Sequence, residues 1–396
     1  MESLRKTTAT VRQAGEPEKH PVHSTNRVSR YRFFLIGILF AICLLLPTLD
    51  QFFKFSAAFK STEKNVLTPL PTFHFPRVLS YINGFNQYYK ENFGWRNTLF
   101  YQYSQFKYYV LGVSPLPHKV VLGKNGWFYP GNDLANVKNQ HLGLDPLSLE
   151  TLALIAQKLR DKQQQLAAQG IKFYFVVAPD SYTIYPENLP DYMQNLSITS
   201  NLDRLKTYLA THTNVPFIDV RPALLAAKST HQAYMQTDTH WNNYGCLVAT
   251  IAITQRIRQD FPALPNPSEK DYSIVPIKGY SGDLVVMMAL NQDLTDSINY
   301  HTIPPPPMGY REIERIPNPA GGWPSQRFTG SIAKAPGLLF MGDSFTLSLA
   351  ETLPSYFSTA YVTQSDTIRT DLVRSEKPDV VVFEIVERNL ARLVNL

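Results

Sequence analysis

Two short segments of this 396-residue chain hold the residue types for serine-based covalent catalysis. Gly342-Asp343-Ser344-Phe345 directly follows the apolar run Gly337–Met341, GLLFM. Gly342 permits a tight turn, and Ser344 would then open the next helix. Free backbone N–H groups at a helix start stabilise a developing oxyanion. Asp238-Thr239-His240-Trp241 follows the apolar stretch Val215–Val220. In an extended backbone, residues two apart project to one side. Asp238 and His240 would then reach toward one point. A serine hydroxyl needs a base to attack at neutral pH, and that base needs a carboxylate to fix its tautomer. Ser344, His240 and Asp238 supply these three parts. Each part alone also has a bland reading, as a turn after a strand or a satisfied surface pair.

Such a set must be held by a rigid frame. Leu152, Ile155, Leu159 and Leu166 follow helical spacing, with Gly170 as a stop. The wholly apolar run Ile171–Ala178 follows, then a helix over 201–209, the short strand Val215–Val220, and a helix after the DTHWN segment. Alternation resumes at Gly337–Met341, near Ala360–Thr363 and at Asp379–Ile385. Apolar runs without polar interleaving, alternating with helices, predict parallel strands buried on both faces. The expected fold is an α/β/α sandwich with a parallel sheet. Ligands of such sheets bind beyond the carboxyl ends of the strands, where both polar segments lie. Residues 262–335 are rich in Pro and Gly and are expected to form an irregular insertion. Asn125-Gly126, between two apolar runs, predicts a hairpin with a type I′ turn.

Toward the N-terminus the composition changes. Residues 33–49 read FFLIGILFAICLLLPTL without a charge. Seventeen helical residues cover roughly 25 Å, enough to cross a thin bilayer. The preceding tail, 1–32, holds seven Lys/Arg against three Glu, or +4 of the chain's net charge of +6. The positive-inside rule then puts the tail in the cytoplasm and the rest of the chain outside. An uncleaved anchor is favoured over a cleaved signal peptide, because no small-residue cleavage site follows the run. Residues 50–78 read as a linker, and 79–146 as an aromatic-rich stalk and hairpin packed on a main domain at 147–396. Only +2 remains outside the tail, too little for the dense basic face of a nucleic-acid binder. Cys43 and Cys246 make no disulfide framework. The nine His show no metal-ligand spacing, so neither a metal nor a cofactor is expected.

Taken together, GDSF and DTHWN resemble the SGNH-hydrolase-like alginate O-acetyltransferases of the J and X type. Supporting segments are NFGWR at 92–96, VVLGKNGWFY at 120–129, IYPENLP at 184–190, GDL at 282–284 and VERNL at 386–390. The resemblance spans about residues 79–396 and is closer to the J type, which lacks a C-terminal carbohydrate-binding module. It implies a circular permutation, since SGNH hydrolases usually open with the GDS block and close with the Asp/His block. It implies Ser344 as the nucleophile of an acetyl-enzyme, His240 as base and then acid, and Asp238 as its orienting carboxylate. Asp343 would brace the turn, and Arg388 and Asn389 fall where such enzymes carry an oxyanion-hole Asn. An ion pair at a strand end is the alternative for Arg388. Trp241, Tyr182 and Tyr185 are candidates to line the acceptor groove, with core or loop packing as their alternative.

The implied activity is transfer of acetyl groups onto hydroxyls of a bacterial exopolysaccharide. A membrane-bound O-acyltransferase would supply the acetyl group to a periplasmic domain anchored in the inner membrane. Two other readings stay open: a polysaccharide acetylesterase with the same triad, and a non-catalytic scaffold of a polysaccharide assembly complex.

Overall fold

The computed structural model describes residues 27–53, 68–194, 198–306, 308–317 and 322–396. Residues 1–26 of the basic tail, 54–67 of the linker, and Pro307 and Gly321 of the Pro/Gly-rich stretch lie outside them. By internal contacts the chain divides into two units, with the boundary after Arg96.

The first unit holds two helices. α1 spans Arg27–Phe53, and its window Tyr31–Asp50 has a mean hydropathy of 2.4 and is almost wholly exposed. It is long and apolar enough to cross a membrane. α2 spans Val78–Asn92. Residues four apart share a helix face, so Tyr81, Phe85 and Tyr89 stack in sequence, with centroids 6.2 and 6.5 Å apart. The Thr48 and Tyr89 hydroxyls meet at 2.8 Å, and Gly94 N–H donates to Pro47 O at 3.1 Å. A Cβ on Gly94 would fall 2.4 Å from that carbonyl, so only glycine allows the approach.

The second unit carries the remaining elements. They begin with α3 (Arg96–Gln105) and a π-helical turn at Phe106–Val110. β1 (Val120–Leu122) and β2 (Phe128–Pro130) pair antiparallel, with Asn125 and Gly126 both at positive φ, as a type I′ turn requires. Next come α4 (Val137–His141), α5 (Leu149–Ala167), β3 (Lys172–Ala178), α6 (Ser181–Ile184), α7 (Asn201–His212), β4 (Phe217–Asp219), α8 (Arg221–Ala227) and α9 (Asn243–Arg258). Three of these helices carry side-chain caps. Ser148, Ser200 and Asn242 accept from the N–H groups of Thr151, Asp203 and Gly245, each contributing about 1 kcal/mol.

The Pro/Gly-rich stretch is more regular than its composition predicts. It holds β5 (Ser273–Ile277), α10 (Asp283–Met287), β6 (Asn299–Ile303), β7 (Tyr310–Ile316) and β8 (Ser325–Gly330). β5 pairs with β6, while β7 and β8 extend the main sheet. β7 is exposed along almost its whole length, so it lacks the apolar signature of a buried strand. The last elements are β9 (Gly337–Gly342), α11 (Ser344–Leu349), β10 (Thr359–Gln364), α12 (Thr370–Glu376), β11 (Val380–Val386) and a 3₁₀ run at Glu387–Asn395.

The central sheet has the order β4-β3-β11-β9-β10-β8-β7. Its first five strands are parallel; β8 and β7 join antiparallel. Numbered from β9 as the first strand, followed by β10, β11, β3 and β4, the parallel part reads 2-1-3-4-5. That is a doubly wound order, with its switch point between β9 and β11. The order therefore agrees with a permuted chain. Strand residues alternate between two cores: Tyr174 and Val176 belong to one, Phe173, Phe175 and Val177 to the other. Each fully buried side chain contributes about 1.5–3 kcal/mol. α9 and α11 cover one face, α5 and α7 the other.

Candidate active site

The switch point gathers the polar segments. Gly342 ends β9, and a Cβ there would lie 2.4 Å from Glu384 O and 2.3 Å from Thr346 Oγ1. The close approach lets α11 start at once. Asp343 caps that helix, accepting from Phe345 N–H at 3.0 Å, and its other oxygen accepts from Val386 N–H at 2.9 Å. One carboxylate thus ties the start of α11 to the end of β11 and fixes Ser344 between them.

Ser344, His240 and Asp238 form one hydrogen-bonded chain. His240 Nε2 lies 2.7 Å from Ser344 Oγ, and His240 Nδ1 lies 2.6 Å from Asp238 Oδ1. With Nδ1 protonated toward Asp238, Nε2 presents a lone pair to the Ser344 hydroxyl. Asp238 is buried, which works to raise its carboxyl. The His240 hydrogen bond and charge and the Asp283 N–H outweigh burial and hold it below the usual range. Phe345 packs 4.8 Å from the His240 ring.

A second layer, which the sequence did not single out, holds the Asp238 loop. Asp283 N–H donates to Asp238 Oδ2 at 2.8 Å. Thr237 donates through its N–H and its hydroxyl to Asp296 Oδ1, at 2.8 and 2.7 Å, and accepts from Gly282 N–H at 2.8 Å. A Cβ on Gly282 would fall 2.5 Å from Asp238 Cβ. Burial pushes Asp296 up to about 6. The GDL segment at 282–284 carried the only sequence signal for this clamp. Glu384, fully buried under α11, accepts from Thr346 Oγ1 at 2.8 Å, and burial together with the nearby Asp343 charge pushes its carboxyl well above the usual range.

The chain opens onto a cleft of about 900 Å³. Tyr310, Glu312, Arg315 and Trp323 from the β7–β8 hairpin line it opposite Ser344, and Trp323 is 60% exposed. Arg388 also lines it; its guanidinium lies 5.5 Å from the Phe345 ring and pairs with buried Asp180. Arg388 therefore forms the ion pair at the strand end and also reaches the cleft wall. Asn389 donates to Asp343 Oδ2 at 3.4 Å and is not among the cleft-lining residues. Trp241 is 1% exposed and packs edge-on against Phe345 at 5.0 Å, so it reaches the cleft only as part of its wall.

The structure does not bring Tyr182 and Tyr185 to this cleft. The Tyr182 hydroxyl donates to Pro130 O at 2.7 Å, and Tyr185 stacks on Trp127 at 4.2 Å. Both are buried in the core, where each hydroxyl needs a backbone partner. Asp238, His240 and Asp283 offer ligand atoms within 4.8 Å of one another, a spacing a cation would accept. The 2.6 Å hydrogen bond between His240 and Asp238 uses two of the same atoms.

Residues 120–351 match the family described as SGNH hydrolase-like domain, acetyltransferase AlgX. A probable alginate O-acetylase AlgJ of Pseudomonas syringae pv. tomato is 25% identical over 286 residues, 68% of this chain and 69% of that protein. The protein of the same name in Pseudomonas fluorescens is 26% identical over 43% of this chain and 42% of its own length. Bacillus cereus PatB1 shares the fold, with a TM-score of 0.52 at 15% identity, covering 68% of this chain and 96% of that one. The family match spans more than half of the sequence, and the chain belongs to the SGNH hydrolase-like acetyltransferases of the AlgX family.

Proposed function

We propose that this protein is an exopolysaccharide O-acetyltransferase that works through an acetyl-serine intermediate. The observation that carries the reading is the hydrogen-bonded chain from Asp238 through His240 to Ser344, open to a large cleft. Ser344 Oγ attacks the acetyl carbonyl of the donor while His240 Nε2 takes the hydroxyl proton. The tetrahedral intermediate collapses, and His240 returns that proton to the leaving group. The acetyl-serine is then attacked by an acceptor hydroxyl, whose proton passes to His240. Collapse releases the acetylated acceptor, and the proton returns to Ser344. Asp238 holds the imidazole in the correct tautomer and stabilises the imidazolium in both halves. The backbone N–H of Ser344, at the start of α11, contributes to oxyanion stabilisation. Arg388 adds positive charge at the cleft wall.

The names of the relatives support a polysaccharide acceptor. The apolar N-terminal helix supports anchoring in the bacterial inner membrane with the catalytic unit in the periplasm. Because acetyl-CoA is cytoplasmic, the acetyl group must then come across the membrane. A membrane-bound O-acyltransferase is the partner class that would deliver it.

The test uses the full chain in nanodiscs beside its Ser344→Ala variant. Each is given a chromogenic acetyl ester with a panel of bacterial oligosaccharides, and products are weighed by mass spectrometry. Ser344-dependent acetylated oligosaccharide is the expected result. Acetate release without any sugar product would replace transfer by ester hydrolysis. Turnover that is the same in both proteins would remove Ser344 from the chemistry.

A further inference from the structure

A second cavity, of about 380 Å³, opens on the same carboxyl edge of the sheet. It lies beyond the ends of β3, β4 and β11, lined by Asp180, Arg221 and Glu387 among others. Asp180 joins it to the catalytic cleft, since its partner Arg388 lines the cleft.

The hydrogen-bonding state of the lining is lopsided. Its side-chain amides, the Thr183 hydroxyl and the Arg221 guanidinium are engaged within the protein. The Gln140 amide donates to Ala135 O and Arg388 O, and that of Gln194 to Glu187 O and Leu189 O. The Asn201 amide donates to Asp145 O. The Arg221 guanidinium is held by Asp203 and Asp219. The Thr183 hydroxyl donates to Glu387 Oε2 at 2.6 Å. Acceptors remain. Asp180 is 2% exposed, and its Oδ2 has no hydrogen-bond partner among the described residues. Both hydrogen bonds to Glu387 fall on Oε2. Burial and the Asp180 charge push the Glu387 carboxyl up to about 7, a strain that a nearby cation would relieve.

A buried carboxylate oxygen without a partner costs free energy until a donor reaches it. A neutral sugar brings as many acceptors as donors, and the amide donors of the lining are already engaged. An ammonium group brings three donors and no acceptor. We infer that this cavity is a second ligand site, which takes a small organic ammonium ion between Asp180 and Glu387. The ammonium would be carried either by an amino sugar or by an aliphatic amine. The inference does not depend on acetyl transfer at Ser344, and its test reads binding alone.

The test titrates the full chain in phosphatidylcholine nanodiscs with glucosamine, putrescine and neutral N-acetylglucosamine by calorimetry at neutral pH. At least one amine should bind at least tenfold more tightly than the neutral sugar, and the tighter amine identifies the ligand body. Glu387→Gln keeps the acceptor oxygen but removes the charge, and should weaken amine binding at least tenfold. Ile198→Trp fills the cavity from its half-exposed side and leaves the carboxyl network intact. It should also abolish binding, while Trp323→Ala in the catalytic cleft should leave it unchanged. Binding of neither amine, equal binding of the neutral sugar, or undiminished binding by Glu387→Gln would overturn the site. So would binding lost in Trp323→Ala but kept in Ile198→Trp, which would move the amine to the catalytic cleft.

Discussion

The proposed role of Asp238 turns on one proton. Asn at this position keeps an acceptor for Asp283 N–H but offers an amide to His240 Nδ1, which favours the wrong tautomer. Asp238→Asn should lower kcat for acetyl transfer by about 10³–10⁴-fold with little change in melting temperature. A loss of less than tenfold would show that the carboxylate is not orienting a base. Asp296 gives a separate, pH-dependent outcome. An aspartate normally ionises near 3.9, and burial pushes this one up to about 6. The folded state therefore holds the proton more tightly than the unfolded chain. The stability this contributes is full below about pH 4 and is lost as pH rises through about 6. Asn keeps the oxygen that accepts from Thr237, so Asp296→Asn should stabilise little at pH 4 and by about 2–3 kcal/mol at pH 8. Urea unfolding at the two pH values checks this, and an equal gain at both would reject the burial argument. Ser344, His240 and Asp238 were legible as one cluster because each lies beside a turn or strand end with few other reasons to be there. Asp296 was not, since a lone carboxylate far along the chain has no spacing relation to Thr237. Tyr182 and Tyr185 show the converse: an aromatic just past a strand end reads the same whether or not it reaches the cleft at Ser344.

Among the elements, the β7–β8 hairpin lines the cleft that holds Ser344. It joins the sheet antiparallel beyond β10 and brings Tyr310, Arg315 and Trp323 over the cleft. An exposed indole beside such a cleft suits stacking on the face of a sugar ring, a contact worth about 0.5–1.5 kcal/mol. Trp323→Ala should raise KM for an oligosaccharide acceptor by roughly two- to tenfold. The kcat/KM for a small chromogenic acetyl ester, which has no ring to stack, should stay within about twofold of wild type. An equal fall for both substrates would assign Trp323 to folding instead. The buried parallel strands were legible because a strand covered on both faces must be apolar throughout, as in VVVFEIV. β7, YREIERI, is an exposed edge strand, and its polar side chains with flanking prolines look like a loop. Its pairing with β8 comes from the sheet it joins, not from its own composition.

At the scale of the whole molecule, α1 presents an exposed apolar surface long enough to cross a membrane. The chain should stay with membranes through an alkaline carbonate wash, and peptide mapping should find α1 still joined to the rest of the chain. A mature N-terminus after residue 49 with release into the soluble fraction would identify a cleaved signal instead. The sheet order also governs how the protein is made. β3 pairs with β11 through Lys172–Val380 to Ala178–Val386, so its inner edge waits for a strand some two hundred residues later. At about 5–20 residues per second, that interval is roughly 10–40 s. Throughout it, β3 and β4 form a two-stranded fragment with an open, apolar edge, which is an aggregation hazard. The middle of the sheet is translated last and its flank first. A chain with this strand order therefore depends on whatever shields that edge during synthesis, and a nascent chain halted before β11 would be a substrate for proteases rather than a shortened enzyme.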